Sequence, residues 1–321
     1  MRYDLPDWDK VVEALRSAEE VVIACHINPD GDALGSLLGA SAGLEQLGKK
    51  TYASWGTQPV EVPFAYRFLP SADSVMDPAA VPATDTFLAV DCGAADRLGV
   101  LEQKARAASC LINIDHHPAN ENFGTLNLVD TRASSTAELV TYLLADLGVR
   151  LDKNIATCLY TGVVTDTGRF QHSNSTPDTL RLAADLLSYD VSAPQVATEV
   201  FDSSPFGYLK LVGRVLDRAE LFEQERFVYS YITQKDLAET GVGLDETEKL
   251  IDLLRATRAA DVAAIFKEQP EGNFRVSLRS RGPSVGAIAR RNGGGGHELA
   301  AGFTASSVEE ALREIRAGLA D

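Results

Sequence analysis

Apolar residues fall along the first half of this chain in short unbroken runs, and then at helical spacing. Val21 to Cys25, Lys50 to Ser54, Thr86 to Val90, Cys110 to Ile114 and Thr125 to Val129 each read as a strand. The runs are too short for helices, and several lack the polar alternation of a half-exposed strand, so they predict a parallel sheet buried on both faces. A small-residue helical pattern runs from Ala33 to about Leu47. Ser134-Ser135-Thr136-Ala137-Glu138 offers cap residues ahead of Leu139, Val140, Leu143 and Leu144, and further helices are predicted from Asn154 to Val164 and from Thr176 to about Leu187. Gly56 to Thr84, rich in Pro and Ser, reads as a loop.

The character changes after a transition at 189–206 that contains Pro194 and Pro205. Beyond it the pattern predicts strands at 226–232, 262–267 and 274–278, a hairpin turn at Glu271-Gly272-Asn273, a helix at 246–255 and an amphipathic helix at 308–319. A chain of 321 residues is long enough for two cores. The expected organisation is α/β: a parallel-sheet domain at 1–188 with helices on both faces, a linker at 189–206, and a smaller α/β domain at 207–321, with the active site in the cleft between the domains.

Most of the buried runs end in an acid or an imidazole. Val21–Cys25 leads into His26-Ile27-Asn28-Pro29-Asp30-Gly31-Asp32, Thr86–Val90 into Asp91, and Cys110–Ile114 into Asp115-His116-His117. The helix at 154–164 leads into Asp166. Sites of open α/β sheets gather at the carboxyl ends of their strands. Three of the five histidines fall in these segments, a fourth, His297, follows a run of four glycines, and only His172 is left over. Carboxylates crowded together repel one another unless a cation sits between them. Asp and His without thiolate suit Mn²⁺, with Mg²⁺, Co²⁺ or Fe²⁺ as alternatives. There are too many carboxylates for one ion, so two ions bridged by one Asp is the economical arrangement, suited to phosphoryl transfer.

Composition narrows the partners. Hydrophobic content of 45% and charged content of 24% are ordinary for a soluble globular protein, and Cys25, Cys92, Cys110 and Cys158 stand singly, which supports neither a zinc ribbon nor a disulfide framework. With no long apolar run and no leader at Met1-Arg2-Tyr3-Asp4, a cytoplasmic protein is expected, without a membrane partner. A net charge of −16 disfavours long DNA or RNA. Yet the stretch from Gly272 to His297 holds Arg275, Arg279, Arg281, Arg290 and Arg291 without one acid, which marks a local anion site. Gly293 to Gly296 can converge backbone N–H groups on such an anion.

Asp115-His116-His117, preceded by His26-x-Asn-Pro-Asp30-x-Asp32 and Asp91 and followed by Asp166, resembles the DHH phosphoesterase superfamily. Gly293-Gly294-Gly295-Gly296-His297-Glu298-Leu299-Ala300-Ala301-Gly302-Phe303 resembles the signature of the DHH-associated C-terminal domain, from which Glu298 is a small departure. The resemblance implies His26, Asp30 and Asp91 on one ion, and Asp32, Asp91, His116 and Asp166 on the other. It further implies that Asp115 orients His116, that His117 faces the scissile phosphate, and that His297 binds a phosphate; the charge and glycine pattern adds Arg279, Arg281, Gly294, Gly295 and Gly296 as substrate-binding residues. Size and layout resemble the stand-alone oligoribonucleases that also dephosphorylate 3′-phosphoadenosine 5′-phosphate. The implied activity is Mn²⁺-dependent hydrolysis of short RNA and of that nucleotide, with cyclic di-AMP and pApA as alternative substrates. A homodimer is an expectation drawn from the family alone. A nucleotide sensor without turnover would lack one of the metal ligands, and none is lacking.

Overall fold

The apolar runs of the first half do form strands, and the sheet they build is parallel throughout. The structure, a computed structural model, describes residues 4–320 and divides into two units, Met1–Ser203 and Ser204–Asp321. The first unit runs α1 (Trp8–Ser17), β1 (Glu20–Cys25), α2 (Gly31–Gln46), β2 (Lys50–Trp55), β3 (Thr86–Val90), α3 (Glu102–Ala107), β4 (Cys110–Asp115), β5 (Leu126–Val129), α4 (Thr136–Leu147), α5 (Lys153–Asp166), α6 (Pro177–Leu187) and α7 (Ala193–Ala197). Its sheet has the order β2-β1-β3-β4-β5, with every neighbouring pair parallel. Both faces are covered, as the unbroken runs required. Val21, Ile23 and Cys25 of β1 pack with α1, α2, α4 and α5, while Val22 and Ala24 pack on the other face with Leu98, Leu101 and Ala105.

From β1 the chain moves outward to β2 and then crosses to β3 on the opposite side. The strand order therefore reverses between β1 and β3, and a crevice opens at their carboxyl ends. Two further elements converge on this crevice because α2 and α5 pack unusually close. A Cβ on Gly35 would lie 2.4 Å from the Cys158 carbonyl oxygen and 2.9 Å from the Gly162 nitrogen. Small residues in α2 are thus what let its N-terminus and the last turn of α5 reach the same point.

Some elements went unread in the sequence. α1 buries Trp8, Val11, Val12 and Leu15, a helical spacing anchored by the Trp8 Nε1 hydrogen bond to Asp146 at 2.8 Å. The expected loop at 56–84 contains two 3₁₀ turns, Phe64–Tyr66 and Ala72–Ser74. The expected transition at 189–206 holds α7 and a π-helical turn, Thr198–Asp202, and its Val196 and Val200 are buried in the first unit's core.

The second unit runs α8 (Phe206–Asp217), β6 (Glu220–Phe222), β7 (Phe227–Ile232), α9 (Gln234–Thr240), α10 (Leu250–Arg255), β8 (Val262–Glu268), β9 (Phe274–Ser280), α11 (Val285–Arg291), β10 (Gly295–His297), β11 (Ala300–Ala305) and α12 (Val308–Ala320). Its sheet has the order β10-β11-β9-β8-β7-β6; only β7 and β8 pair in parallel. Val276, Leu278 and Phe303 face α11 and α12, and Val228, Ala263 and Ile265 face α8, α9 and α10. No described helix is long and apolar enough to cross a membrane.

Because the Gly35 contact is with rigid backbone, Gly35→Ala is expected to overpack the α2–α5 seam by about 1–3 kcal/mol. Thermal unfolding followed by circular dichroism should show a midpoint lower by roughly 3–10 °C.

Candidate metal centre

Each expected ligand of the first unit sits at the end of an element that points into the β1/β3 crevice. His26 directly follows β1, and Asp91 directly follows β3. Asp91 takes a left-handed backbone, φ 54°, while its N–H still donates to the Ile114 carbonyl at 2.9 Å. Asp115 ends β4 and leads into His116 and His117. Asp30 caps α2, its Oδ1 accepting from the N–H groups of Asp32 and Ala33 at 3.0 Å each. Asp32 lies in the first turn of α2 and Asp166 ends α5.

These side chains form three overlapping groups. His26, Asp30 and Asp91 form one, Asp32, His116 and Asp166 a second, and Asp91, His116 and His117 a third, with one ligand atom from each residue within 4.8 Å of the others. His26 Nε2 lies 3.6 Å from Asp91 Oδ2. His116 Nε2 lies 3.5 Å from Asp166 Oδ2, 3.9 Å from Asp32 Oδ2 and 3.9 Å from Asp91 Oδ1. Those separations are too long for hydrogen bonds. Indeed His116 Nε2 is buried and has no hydrogen-bond partner, a rare condition for a polar atom. Oxygen and nitrogen ligands about 2.1 Å from a cation lie roughly 3–4 Å from one another, so the donor set fits divalent cations. His26 is prepared for the same role. Its Nδ1 donates to the Ile27 carbonyl at 2.8 Å, which leaves the Nε2 lone pair directed at Asp91.

The residues that hold this arrangement were not identified from the sequence. Asp32 Oδ2 accepts from the Thr136 N–H at 2.6 Å and Oδ1 from the Ala137 N–H at 2.9 Å, so the N-terminus of α4 supports a carboxylate that is only 1% exposed. Thr136 also donates its hydroxyl to Asp91 Oδ1 at 2.9 Å. Asn174 bridges the Ser134 carbonyl and Asp166. The signal for Thr136 was present in Ser134-Ser135-Thr136, which reads equally well as a simple helix cap.

One expectation is corrected. Asp115 orients His117, not His116: Asp115 Oδ1 accepts from His117 Nδ1 at 2.7 Å, and Asn120 Nδ2 donates to Asp115 Oδ2 at 2.6 Å. Asp115 is fully buried, and Asn120, itself bonded to Asn113, holds it in that position.

Electrostatics follow from the crowding. Burial, then the charges of Asp91, Asp166 and Asp30, pushes the Asp32 carboxyl well above its ordinary range. Asp166 is pushed up to about 7, by burial first and by Asp91 and Asp30, against the pull of His116. Burial opposes ionisation of Asp91 as well, but the imidazoles of His26, His117 and His116 hold it well below the usual carboxylate range. For His117, burial works against the proton, yet Asp115, Asp91 and Asp166 push it up to about 9.

In the second unit, β-register places Arg279 opposite Ala300, and Ala300 opposite His297. Arg279, His297 and Gly295 therefore share one sheet face with Arg275, while Val276 and Leu278 point to the other. Arg281 lies beyond β9, its Nη2 donating to the Arg255 carbonyl at 2.5 Å. The glycine run is not an open loop. Gly293 and Gly294 donate their N–H groups to the Arg290 and Ala289 carbonyls that end α11, and Gly295 and Gly296 belong to β10. A Cβ on Gly294 would lie 2.1 Å from the Gly302 carbonyl oxygen, so hairpin closure itself demands glycine there.

Residues 20–163 match the model of the DHH family, N-terminal domain, and residues 224–321 match that of the DHHA1 domain. The chain is 36% identical, over 97% of its length and 96% of the relative's, to a Thermus thermophilus protein named bifunctional oligoribonuclease and PAP phosphatase NrnA. A Bacillus subtilis protein of the same name is 30% identical, with 95% of both chains covered. A solved Bacteroides fragilis structure, described as an exopolyphosphatase-related protein, superposes with a TM-score of 0.89 at 24% identity, covering 97% of this chain and 95% of that one.

A cation must displace the proton that Asp166 carries below about pH 7. Mn²⁺ affinity, measured by isothermal titration calorimetry, is therefore expected to fall as pH drops, by roughly tenfold per unit below that value. Titrations in buffers of different ionisation enthalpy should register proton release on binding.

Proposed function

The chain belongs to the DHH family, and on that premise we propose that it is a divalent-metal-dependent phosphoesterase that hydrolyses short oligoribonucleotides to mononucleotides and 3′-phosphoadenosine 5′-phosphate to AMP. The single observation that carries the reading is the buried His116 Nε2, without a hydrogen-bond partner and ringed by three carboxylates at 3.5–3.9 Å. In this reading His26, Asp30 and Asp91 hold one cation, and Asp32, Asp91, His116 and Asp166 hold the second. Mn²⁺ is the proposed metal, with Mg²⁺ or Co²⁺ as alternatives. Cations in such a pair supply charge neutralisation at the phosphoryl oxygens and activation of the attacking water.

The chain's own groups do the rest. His117, kept protonated by Asp115, donates a hydrogen bond to the scissile phosphate and gives its proton to the leaving oxygen as the phosphorus–oxygen bond breaks. Thr136 and the N-terminus of α4 fix Asp32 and Asp91 so that neither carboxylate must reorganise during the reaction. Arg279 and His297, side by side across β11, bind the far phosphate or base. Arg281 and the glycines at 294–296 border that face. A net charge of −16 disfavours long polyanions, in keeping with substrates a few nucleotides long.

A turnover panel with pApA, 3′-phosphoadenosine 5′-phosphate, cyclic di-AMP and a 24-mer RNA, each with Mn²⁺, tests the reading. Release of AMP from pApA and from 3′-phosphoadenosine 5′-phosphate is expected to outpace hydrolysis of the 24-mer by at least about a hundredfold. Preference for the 24-mer, or absence of metal-dependent turnover on all four, overturns it.

Asp91→Asn keeps a residue that tolerates the left-handed turn and removes the shared charge. It should lower kcat by about a thousandfold or more with an unchanged circular dichroism spectrum. Arg279→Ala and His297→Ala should instead raise KM by roughly tenfold with a smaller effect on kcat.

A further inference from the structure

His172 is the one histidine that the proposed chemistry leaves unused, and a strained turn places it. Helix α5 ends at Asp166, and the next residues turn tightly. Gly168, Arg169 and Phe170 take left-handed backbone in succession, with φ of 54°, 61° and 61°. Residues with side chains adopt that conformation singly as a rule, so two in a row persist only where the surroundings hold them. Here they are held. The Arg169 N–H donates to the Val164 carbonyl at 2.8 Å, and the N–H groups of Gln171 and His172 both donate to the Thr167 carbonyl at 3.0 Å. The Arg169 guanidinium lies 4.6 Å from the centre of the Phe201 ring, and Phe170 packs on the first unit's core. Backbone strain of this kind gathers at ligand sites.

The product of the turn is a ring laid flat. A Cβ on Gly168 would lie 2.4 Å from both Cε1 and Nε2 of His172 and 2.8 Å from Cδ2. Such nearly equal distances put that point over the face of the imidazole, not off its edge. Gly168 therefore covers one face at a distance that only glycine permits. One edge is taken as well, because Nδ1 donates to the Asp166 carbonyl at 3.3 Å. His172 is nonetheless exposed, so its exposed surface is the opposite face and the remaining edge. Asn174 Nδ2 reaches the same Asp166 carbonyl and the Asp166 carboxylate, each at 3.3 Å, and that carboxylate is 3.5 Å from His116. The open face of the ring thus stands one residue away from the second ligand group.

We propose that His172 is a stacking platform for a nucleobase, the base of the nucleotide whose phosphate is attacked at the metal centre. The inference rests on the phosphoesterase reading above. A fixed aromatic face suits a base of any identity, since every base has a π-face. The platform would make the site prefer nucleotides to sugar phosphates without reading their sequence, and it leaves the far phosphate to Arg279 and His297.

Isothermal titration calorimetry with Mn²⁺ present tests this by comparing AMP with ribose 5-phosphate, which carries the same sugar and phosphate without the base. AMP is expected to bind the parent chain about tenfold more tightly. His172→Ala should reduce that advantage to about twofold or less, and His172→Phe, which keeps a ring but cannot donate to Asp166, should retain it. Mn²⁺ affinity should agree within about twofold among the three proteins, which separates a platform from a residue that merely holds Asp166. An AMP advantage that survives His172→Ala, one lost equally in His172→Phe, or a parent without one overturns the proposal. So does a Mn²⁺ affinity that falls together with the AMP advantage. Turnover of 3′-phosphoadenosine 5′-phosphate by the same proteins keeps the two readings apart. Affinity that depends on both the base and His172, in a chain without turnover, supports the platform and overturns the phosphoesterase reading alone. Normal turnover with an AMP advantage indifferent to His172 overturns the platform alone.

Discussion

Placing several carboxylates side by side in a buried crevice is electrostatically unfavourable, and the architecture of the first unit is arranged around making it tolerable. Asp32 and Asp91 are 1% and 2% exposed. Each is compensated locally before any cation is considered. Asp32 rests on the first N–H groups of α4, where backbone donors and the helix dipole favour negative charge. Asp91 accepts from the Thr136 hydroxyl and lies among three imidazoles. Asp166, with an Asn174 contact at 3.3 Å, is pushed up to about 7 by burial first and by the charges of Asp91 and Asp30, and Asp32 is pushed up as well despite its donors. The compensation is incomplete, and the like charges that raise Asp32 and Asp166 are what divalent cations neutralise most effectively.

Much of this was legible in the sequence, for identifiable reasons. A parallel strand buried on both faces leaves a continuous apolar run, and its end leaves an abrupt polar residue. His26, Asp91 and Asp115 therefore announce both the strand and the site. The supporting residues did not stand out, because a serine, threonine or asparagine near a helix start satisfies many local needs. Only the three-dimensional approach of α4 to α2 distinguishes Thr136 from an ordinary cap. β10 and β11 were missed for a different reason. Glycine and alanine carry little strand preference, and Ala300–Gly302, which pairs with Gly295–His297 on one side, is held in the sheet by β9 on its other side. The assignment of Asp115 to His116, taken from the resemblance, failed because adjacent residues leave a strand end in different directions, and the bond falls on His117 instead.

That same hairpin changes how the second unit's anion-binding character is understood. Four consecutive glycines suggest a cradle of backbone N–H groups, but two of those groups close α11 and the next two residues lie in a strand. The glycines act chiefly by removing side chains. With no Cβ at Gly295 and Gly302, and only a methyl at Ala300, the sheet face between His297 and Arg279 has a low floor. Positive charge is supplied on the same face by Arg279 and Arg275, and by Lys267, which lies opposite Arg275 on β8, is 1% exposed and is paired with Glu248 at 2.7 Å. A buried ammonium persists only with such a partner.

Asp91 joins the two halves of the catalytic proposal, and its backbone explains how. A strand that continued straight through residue 91 would alternate the side chain to one face of the sheet, away from the groups beyond the strand ends. The left-handed conformation, φ 54°, turns the chain back at that residue while its N–H remains bonded to Ile114. The carboxylate then stands in the crevice, one oxygen 3.6 Å from His26 and the other 3.9 Å from His116. Asp and Asn are the side-chain-bearing residues that adopt this conformation most readily, and only Asp adds a charge that two cations can share. Backbone geometry and electrostatics thus select the same residue independently. That is why one aspartate can be a member of two ligand groups that come from separate strands and helices.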